Sequence, residues 1–152
     1  MATTLTLPEG YGPVAAIALG VIPFVSFWHG ISAARLRKAS GVMYPNYYAT
    51  QEQTKTSKAA YRYQCAQRAH GNYLENMPQT LISMLVAGIE YPRATAVTGA
   101  IWVVSRLIYQ YGYIWSDEPE GKGRRGGMGF FFAQGALWGM SLAVFGKSLL
   151  EW

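Results

Sequence analysis

Arg68, Asn72 and Glu75 stand at positions i, i+4 and i+7. On a helix that spacing turns three polar side chains the same way. The chain then runs into an apolar stretch, Met77 to Ile89. An ionisable side chain at membrane depth costs about 2.5–3.5 kcal/mol on insertion scales, so a chain that keeps two of them beside an amide has a use for them. Arginine takes a carboxylate through two parallel hydrogen bonds. A glutamate answers an amino group, and an asparagine satisfies an amide. The stripe therefore suits a small, flexible, zwitterionic ligand with carboxylates.

A second stripe lies further on. Arg106, Tyr109 and Tyr113 fall at i, i+3 and i+7. Facing the first stripe, it would complete a pocket of Arg, Asn, Glu and Tyr groups. Arg35, at the end of the first apolar segment, and Arg124 and Arg125, at the start of the last, sit at the same mouth. A bland reading stands beside this one: Glu75 and Arg106 as a buried pair that holds two helices together, with Arg68 reaching the interface. His70 is off the stripe and reads as a polar interface residue rather than a base. Tyr44, Tyr47 and Tyr48 read as interfacial packing. Cys65 is the only cysteine, so no intrachain disulfide forms. It reads as a small semi-buried residue, with a redox thiol as the second reading because Arg68 follows one turn later. The glycine-rich tract Gly121–Gly129 lacks the phosphate-loop pattern. No paired-His metal spacing and no Ser-His-Asp set is present.

The elements that must position these residues follow from hydropathy. Of 152 residues, 51% are hydrophobic and only 14% charged, and the mean hydropathy of +0.06 hides strong segregation. No Asp, Glu, Lys or Arg occurs between Glu9 and Arg35, nor between Arg125 and Lys147. Each gap is long enough to cross a hydrocarbon core of about 30 Å at about 1.5 Å per residue. The chain is expected to be one all-α domain, residues 1–152, an integral membrane four-helix bundle with spans at roughly 11–34, 59–89, 94–115 and 126–150. The first apolar stretch lacks a basic leader and a cleavage pattern and reads as a retained span. Pro23 should kink the first span, and Pro78 joins a polar, aromatic half of the second to a lipid-like half. Trp28, Trp115 and Trp152 fall near span ends, as interfacial anchors do. The first loop carries Arg35, Arg37, Lys38, Lys55 and Lys58 against Glu52, and the third balances Asp117, Glu118 and Glu120 against Lys122, Arg124 and Arg125. Both are expected on the cytosolic side, with the termini lumenal. The net charge of +5 then reflects membrane orientation rather than nucleic-acid binding.

The run Arg68-Ala69-His70-Gly71-Asn72-Tyr73-Leu74-Glu75-Asn76-Met77-Pro78 resembles the signature R-A-x-x-N-x-x-E-x-x-P of the membrane-associated proteins in eicosanoid and glutathione metabolism. The run Arg106 to Tyr113 is similar to that family's third-span pattern, R-x-x-Y-x-x-G-Y. Gln67-Arg68-Ala69-His70, with Glu90-Tyr91-Pro92-Arg93, looks closest to its type 3 microsomal glutathione transferases. The resemblance covers nearly the whole chain. It implies a homotrimer in the endoplasmic reticulum membrane, with glutathione bound as co-substrate between subunits at the cytosolic side and no metal. By that match Arg68, Asn72, Glu75, Arg106, Tyr109 and Tyr113 would bind glutathione. Arg35 would help from the first span, and His70 occupies a position that is Gln in some relatives. In the leukotriene-forming member an arginine at the start of span four activates the thiol. Arg125 is the best match here and Arg124 the next. Asn76 departs from that member, which has Tyr there.

The implied chemistry is attack by the glutathione thiolate on a lipophilic electrophile or a lipid hydroperoxide, the second substrate arriving from the bilayer. Two other classes stand against it. A non-catalytic lipid-binding scaffold would keep the helices without needing a thiol-activating arginine. A small transporter or channel would spread its charges along a route, whereas here they cluster at one side.

Overall fold

The computed structural model describes residues 6–116 and 118–150. Asp117, Glu151, Trp152 and residues 1–5 lie outside the described residues. Those described form helices and turns with no strand, as the all-α expectation requires.

Helix α1 runs Tyr11–Ser40. Its stretch Ala16–Val21 is π-helical, immediately before Pro23. Proline has no N–H to give, and its ring crowds the carbonyl four residues earlier, so the wide turn absorbs at Pro23 what would otherwise be a break. The helix continues past the expected Ala34 and stops at Gly41, whose φ of 71° is left-handed. Within the expected first loop, α2 (Gln51–Thr56) starts from a capping box: the Gln53 N–H donates to Thr50 Oγ1 at 3.1 Å, and the Thr50 N–H donates to Gln53 Oε1 at 2.9 Å. Helix α3 (Lys58–Glu90) has 33 residues and contains Pro78. At about 1.5 Å per residue it is about 50 Å long, well beyond a bilayer core. Helix α4 (Pro92–Trp115) returns antiparallel after the one-residue break at Tyr91. A 3₁₀ segment, Pro119–Gly127, leads into α5 (Phe130–Leu150).

Helix α3 is the centre, packed against α1, α4 and α5. The core joins Val14, Ala18 and Ile22 of α1 to Tyr73 and Met84 of α3, Trp102 of α4, and Phe130 and Leu137 of α5. The outer faces of α1, α4 and α5 remain apolar: Phe24 is 65% exposed, Ile101 53% and Phe132 85%. By length and hydropathy α1 is fit to cross a membrane by itself. Helix α5 passes the same measure together with the 3₁₀ segment, the two meeting at 45°. Helices α3 and α4 have the length but do not pass that measure. The C-terminal ends of α1 and α4, the N-terminal half of α3 and the 3₁₀ segment gather at one end of the bundle.

Candidate functional site

At that end a cavity of about 230 Å³ is lined by Tyr48, Arg68, Gly71, Asn72, Glu75, Tyr109, Tyr113 and Arg124. The i, i+4, i+7 spacing on α3 delivers Arg68, Asn72 and Glu75 to one wall. Tyr109 and Tyr113, one turn apart on α4, form the facing wall with their rings edge to face at 5.6 Å. Tyr113 and Arg68 line the cavity together across the gap.

Behind the wall lies Arg106, fully buried. Its Nη1 donates to Asn72 Oδ1 at 2.9 Å. Asn72 Nδ2 in turn donates to Glu75 Oε2 at a long 3.5 Å. Arg106 has only donors, so it fixes which end of the Asn72 amide faces inward and sends the NH₂ toward Glu75 and the cavity. The remaining faces of the guanidinium meet aromatic rings, with Phe130 at 4.2 Å, Tyr109 at 5.0 Å, Tyr73 at 5.2 Å and Trp102 at 5.6 Å. The bland reading from sequence, a direct Glu75–Arg106 pair, is therefore replaced by a relay through Asn72. Arg106 sets the wall rather than lining the cavity.

Arg124 arrives on the 3₁₀ segment. Glu120 and Gly121 take left-handed backbone, with φ of 57° and 65°, and turn the chain back onto α4. The glycines then let backbone lie on backbone. A Cβ at Gly127 would collide with the backbone of Tyr109, and one at Gly112 with the carbonyl of Gly123. So docked, Arg124 Nη1 donates to the carbonyls of Glu120 at 2.9 Å and Gly121 at 2.8 Å, and its guanidinium sits 5.2 Å from the Tyr113 ring centroid. The glycine tract that matches no phosphate loop is thus a close-packing device that carries an arginine to the rim.

The other expected residues lie elsewhere in the single chain. Arg125 is exposed and does not line the cavity. Arg35 borders a separate, largely apolar groove of about 560 Å³ between α1 and α4, with Trp28, Leu107 and Trp115. His70 is two residues beyond Arg68, about 200° around the helix, and packs toward His29 with ring centroids 6.4 Å apart. Cys65 is buried against Ala33, Ala66 and Ile114, in keeping with the packing reading. Two lining residues are not expected at the site from sequence: Gly71, and Tyr48, which reads there as interfacial packing. Gly71 lies in the same helical stripe, one turn after Arg68. Nothing in the Tyr-rich loop distinguishes Tyr48 from Tyr44 or Tyr47. Burial first, and neighbouring Tyr47 next, hold the Tyr48 phenol above its usual pKa, so it is a neutral donor at pH 7.

The cavity therefore offers guanidinium donors from two sides, phenols between them, and one carboxylate with an oriented amide. That set matches a zwitterion bearing carboxylates. Among the described residues no three His, Cys, Asp or Glu side chains come together as a metal cage. Residues 15–145, most of the chain, match the model of the MAPEG family.

Proposed function

The chain belongs to the MAPEG family, and from that premise we propose that it is a membrane-bound glutathione transferase with glutathione-dependent peroxidase activity. The family is membrane-associated, includes glutathione transferases, and binds glutathione and lipophilic substrates. The observation that carries the proposal is the convergence of Arg68, Asn72, Glu75, Tyr109, Tyr113 and Arg124 on one cavity at one end of the bundle. The finer assignment, to the type 3 microsomal transferases of the endoplasmic reticulum, rests on the motif match around Arg68 and on Glu90-Tyr91-Pro92-Arg93.

In this reading Arg68 and the phenols hold a glutathione carboxylate, Glu75 answers the amino group, and the Asn72 amide meets the peptide backbone. Arg124 is the thiolate partner. A free thiol has a pKa of about 8.5, and the thiolate is the nucleophile. A cation beside the sulfur favours the anion, and a depression of about two units is worth about 2.7 kcal/mol. In conjugation a carbon–sulfur bond forms, and the displaced group leaves or an opened epoxide oxygen takes a proton. In peroxide reduction the thiolate attacks the hydroperoxide oxygen. The O–O bond breaks to give the lipid alcohol and a glutathione sulfenic acid, which a second glutathione converts to disulfide and water.

The exposed apolar faces of α1, α4 and α5 support immersion in lipid, where they have no cost to pay. Immersion would leave Arg68 and Glu75, both exposed on α3, in need of a polar neighbour or water, which supports assembly as a homotrimer with α3 toward neighbouring copies. In such an assembly Arg35 and Arg125, both exposed, would serve a neighbouring subunit's cavity, while His70 stays packed toward His29. Orientation with this end cytosolic follows from the basic first loop.

The test is purified protein in detergent, with glutathione, offered an aryl halide, a lipid hydroperoxide and a leukotriene epoxide in parallel. Turnover of at least one is expected. Absence of turnover, with lipid retained through purification, would favour the lipid-binding scaffold.

A further inference from the structure

Tyr48 is the one cavity-lining residue that belongs to neither α3, α4 nor the 3₁₀ segment. It comes from the loop that follows α1, and that loop is tied down on both sides of it. The Tyr47 carbonyl accepts two hydrogen bonds, from the Tyr63 hydroxyl at 2.8 Å and from Gln67 Nε2 at 3.1 Å. The Ala49 N–H donates to Gln64 Oε1 at 3.1 Å, and Arg37 Nη1 donates to the Asn46 carbonyl at 2.7 Å. Tyr63 and Gln67 are buried. Buried polar side chains are costly unless satisfied, so the fold commits two of them to one loop carbonyl.

What those bonds fix is a phenol packed over Gly71 of α3. The Tyr48 hydroxyl lies over Gly71, 3.8 Å from where a Cβ on that glycine would stand. It lines the same cavity as Arg68 and Glu75. The hydroxyl thus shares a cavity with the guanidinium that opens the polar stripe.

Resting on the glutathione reading above, we propose that Tyr48 is a ligand-binding residue that, with Arg68, clamps one carboxylate of the tripeptide, and that Gln64 and Gln67 are positioning residues which act through the loop. A neutral donor beside a cation completes the coordination of a carboxylate without adding charge. The small residue at position 71 lets the phenol close onto the helix beside the cavity that both line.

The experiment measures glutathione uptake by calorimetry, with steady-state kinetics in parallel, on the full chain in detergent. Tyr48→Phe keeps the ring and removes only the hydroxyl. It is expected to raise the KM and Kd for glutathione about tenfold, with kcat and Tm little changed. Tyr47→Phe, which leaves the strapped carbonyl in place, is expected to leave both unchanged. Two analogues locate the carboxylate, one with the glycyl carboxylate esterified and one with the γ-glutamyl α-carboxylate amidated. The Tyr48→Phe penalty should vanish with one of them. A penalty that survives on both, or its absence on glutathione itself, overturns the clamp. No uptake by the unaltered chain overturns the glutathione reading and the clamp together, whereas uptake indifferent to Tyr48 overturns the clamp alone.

Discussion

Arg68 and Arg106 each open a polar stripe, on α3 and α4, yet the fold places them in different surroundings. Arg106 is sealed among Tyr73, Trp102, Tyr109 and Phe130 and spends its one described hydrogen bond on Asn72. Arg68 is exposed at the cavity and keeps most of its donors for whatever enters. The difference is between a layer that orients and a rim that binds. An inner cation surrounded by ring faces holds Asn72 in one orientation, and only then does the rim present a fixed pattern of donors and acceptors. Preorganisation of this kind makes a polar cavity selective rather than merely wet.

The comparison is broken most forcefully from the inside. Arg106→Ala empties a large buried volume and leaves Asn72 Oδ1 without its donor. We expect a loss of about 3 kcal/mol or more in stability, read as a lower Tm in detergent with loss of glutathione binding following from it. An unchanged Tm with lost binding would move Arg106 from the orienting layer to the rim. At the rim the largest effect belongs to Arg124. Arg124→Ala should lower turnover by about 10²-fold, with a smaller change in KM. The sign of the pH dependence follows from the thiol. Without the cation its pKa rises toward about 8.5, so the deficit should be full below about pH 6.5 and shrink as pH rises to about 8.5. Arg125→Ala is the matched control, and a greater loss there than in Arg124→Ala would transfer the role to its neighbour.

How much of this the sequence discloses depends on the range of the interactions. Helical spacing is local, so Arg68, Asn72 and Glu75 are legible as one face before any fold is known, as is the pairing of Tyr109 with Tyr113. The long helices are legible for the same reason, whereas α2 turns on the Thr50/Gln53 capping box, a signal of two residues in a polar loop. The choice between Arg124 and Arg125 is not local. It depends on left-handed backbone at Glu120 and on glycines that meet α4, and adjacent arginines look alike until that contact exists. Tyr48 is illegible for a similar reason, since the donors that place it, Tyr63 and Gln67, lie beyond α2, on α3. Arg106 matches the stripe pattern as well as Arg68 does, and only the packing of Phe130 against it marks it as interior.

Gly127 offers a way to sharpen the comparison without touching a charged group. A methyl there would press on the Tyr109 backbone, so Gly127→Ala should cost about 1–3 kcal/mol, as overpacking does. It should also lift the 3₁₀ segment and reproduce part of the Arg124→Ala turnover defect. A lower Tm with full turnover would mean that Arg124 reaches the thiol without that docking.

Arg68→Ala should be mild for the fold and the most specific for binding. Its side chain is exposed, so the Tm should move little. The loss of a bidentate partner for a carboxylate should weaken glutathione binding about tenfold or more, and kcat at saturation should be nearly retained because the thiolate partner is elsewhere. Binding isotherms and the kcat against KM split check this directly. If kcat fell in step with affinity, Arg68 would be acting on the reacting sulfur. The division between a carboxylate end at Arg68 and a sulfur end at Arg124 would then give way to a single cationic centre.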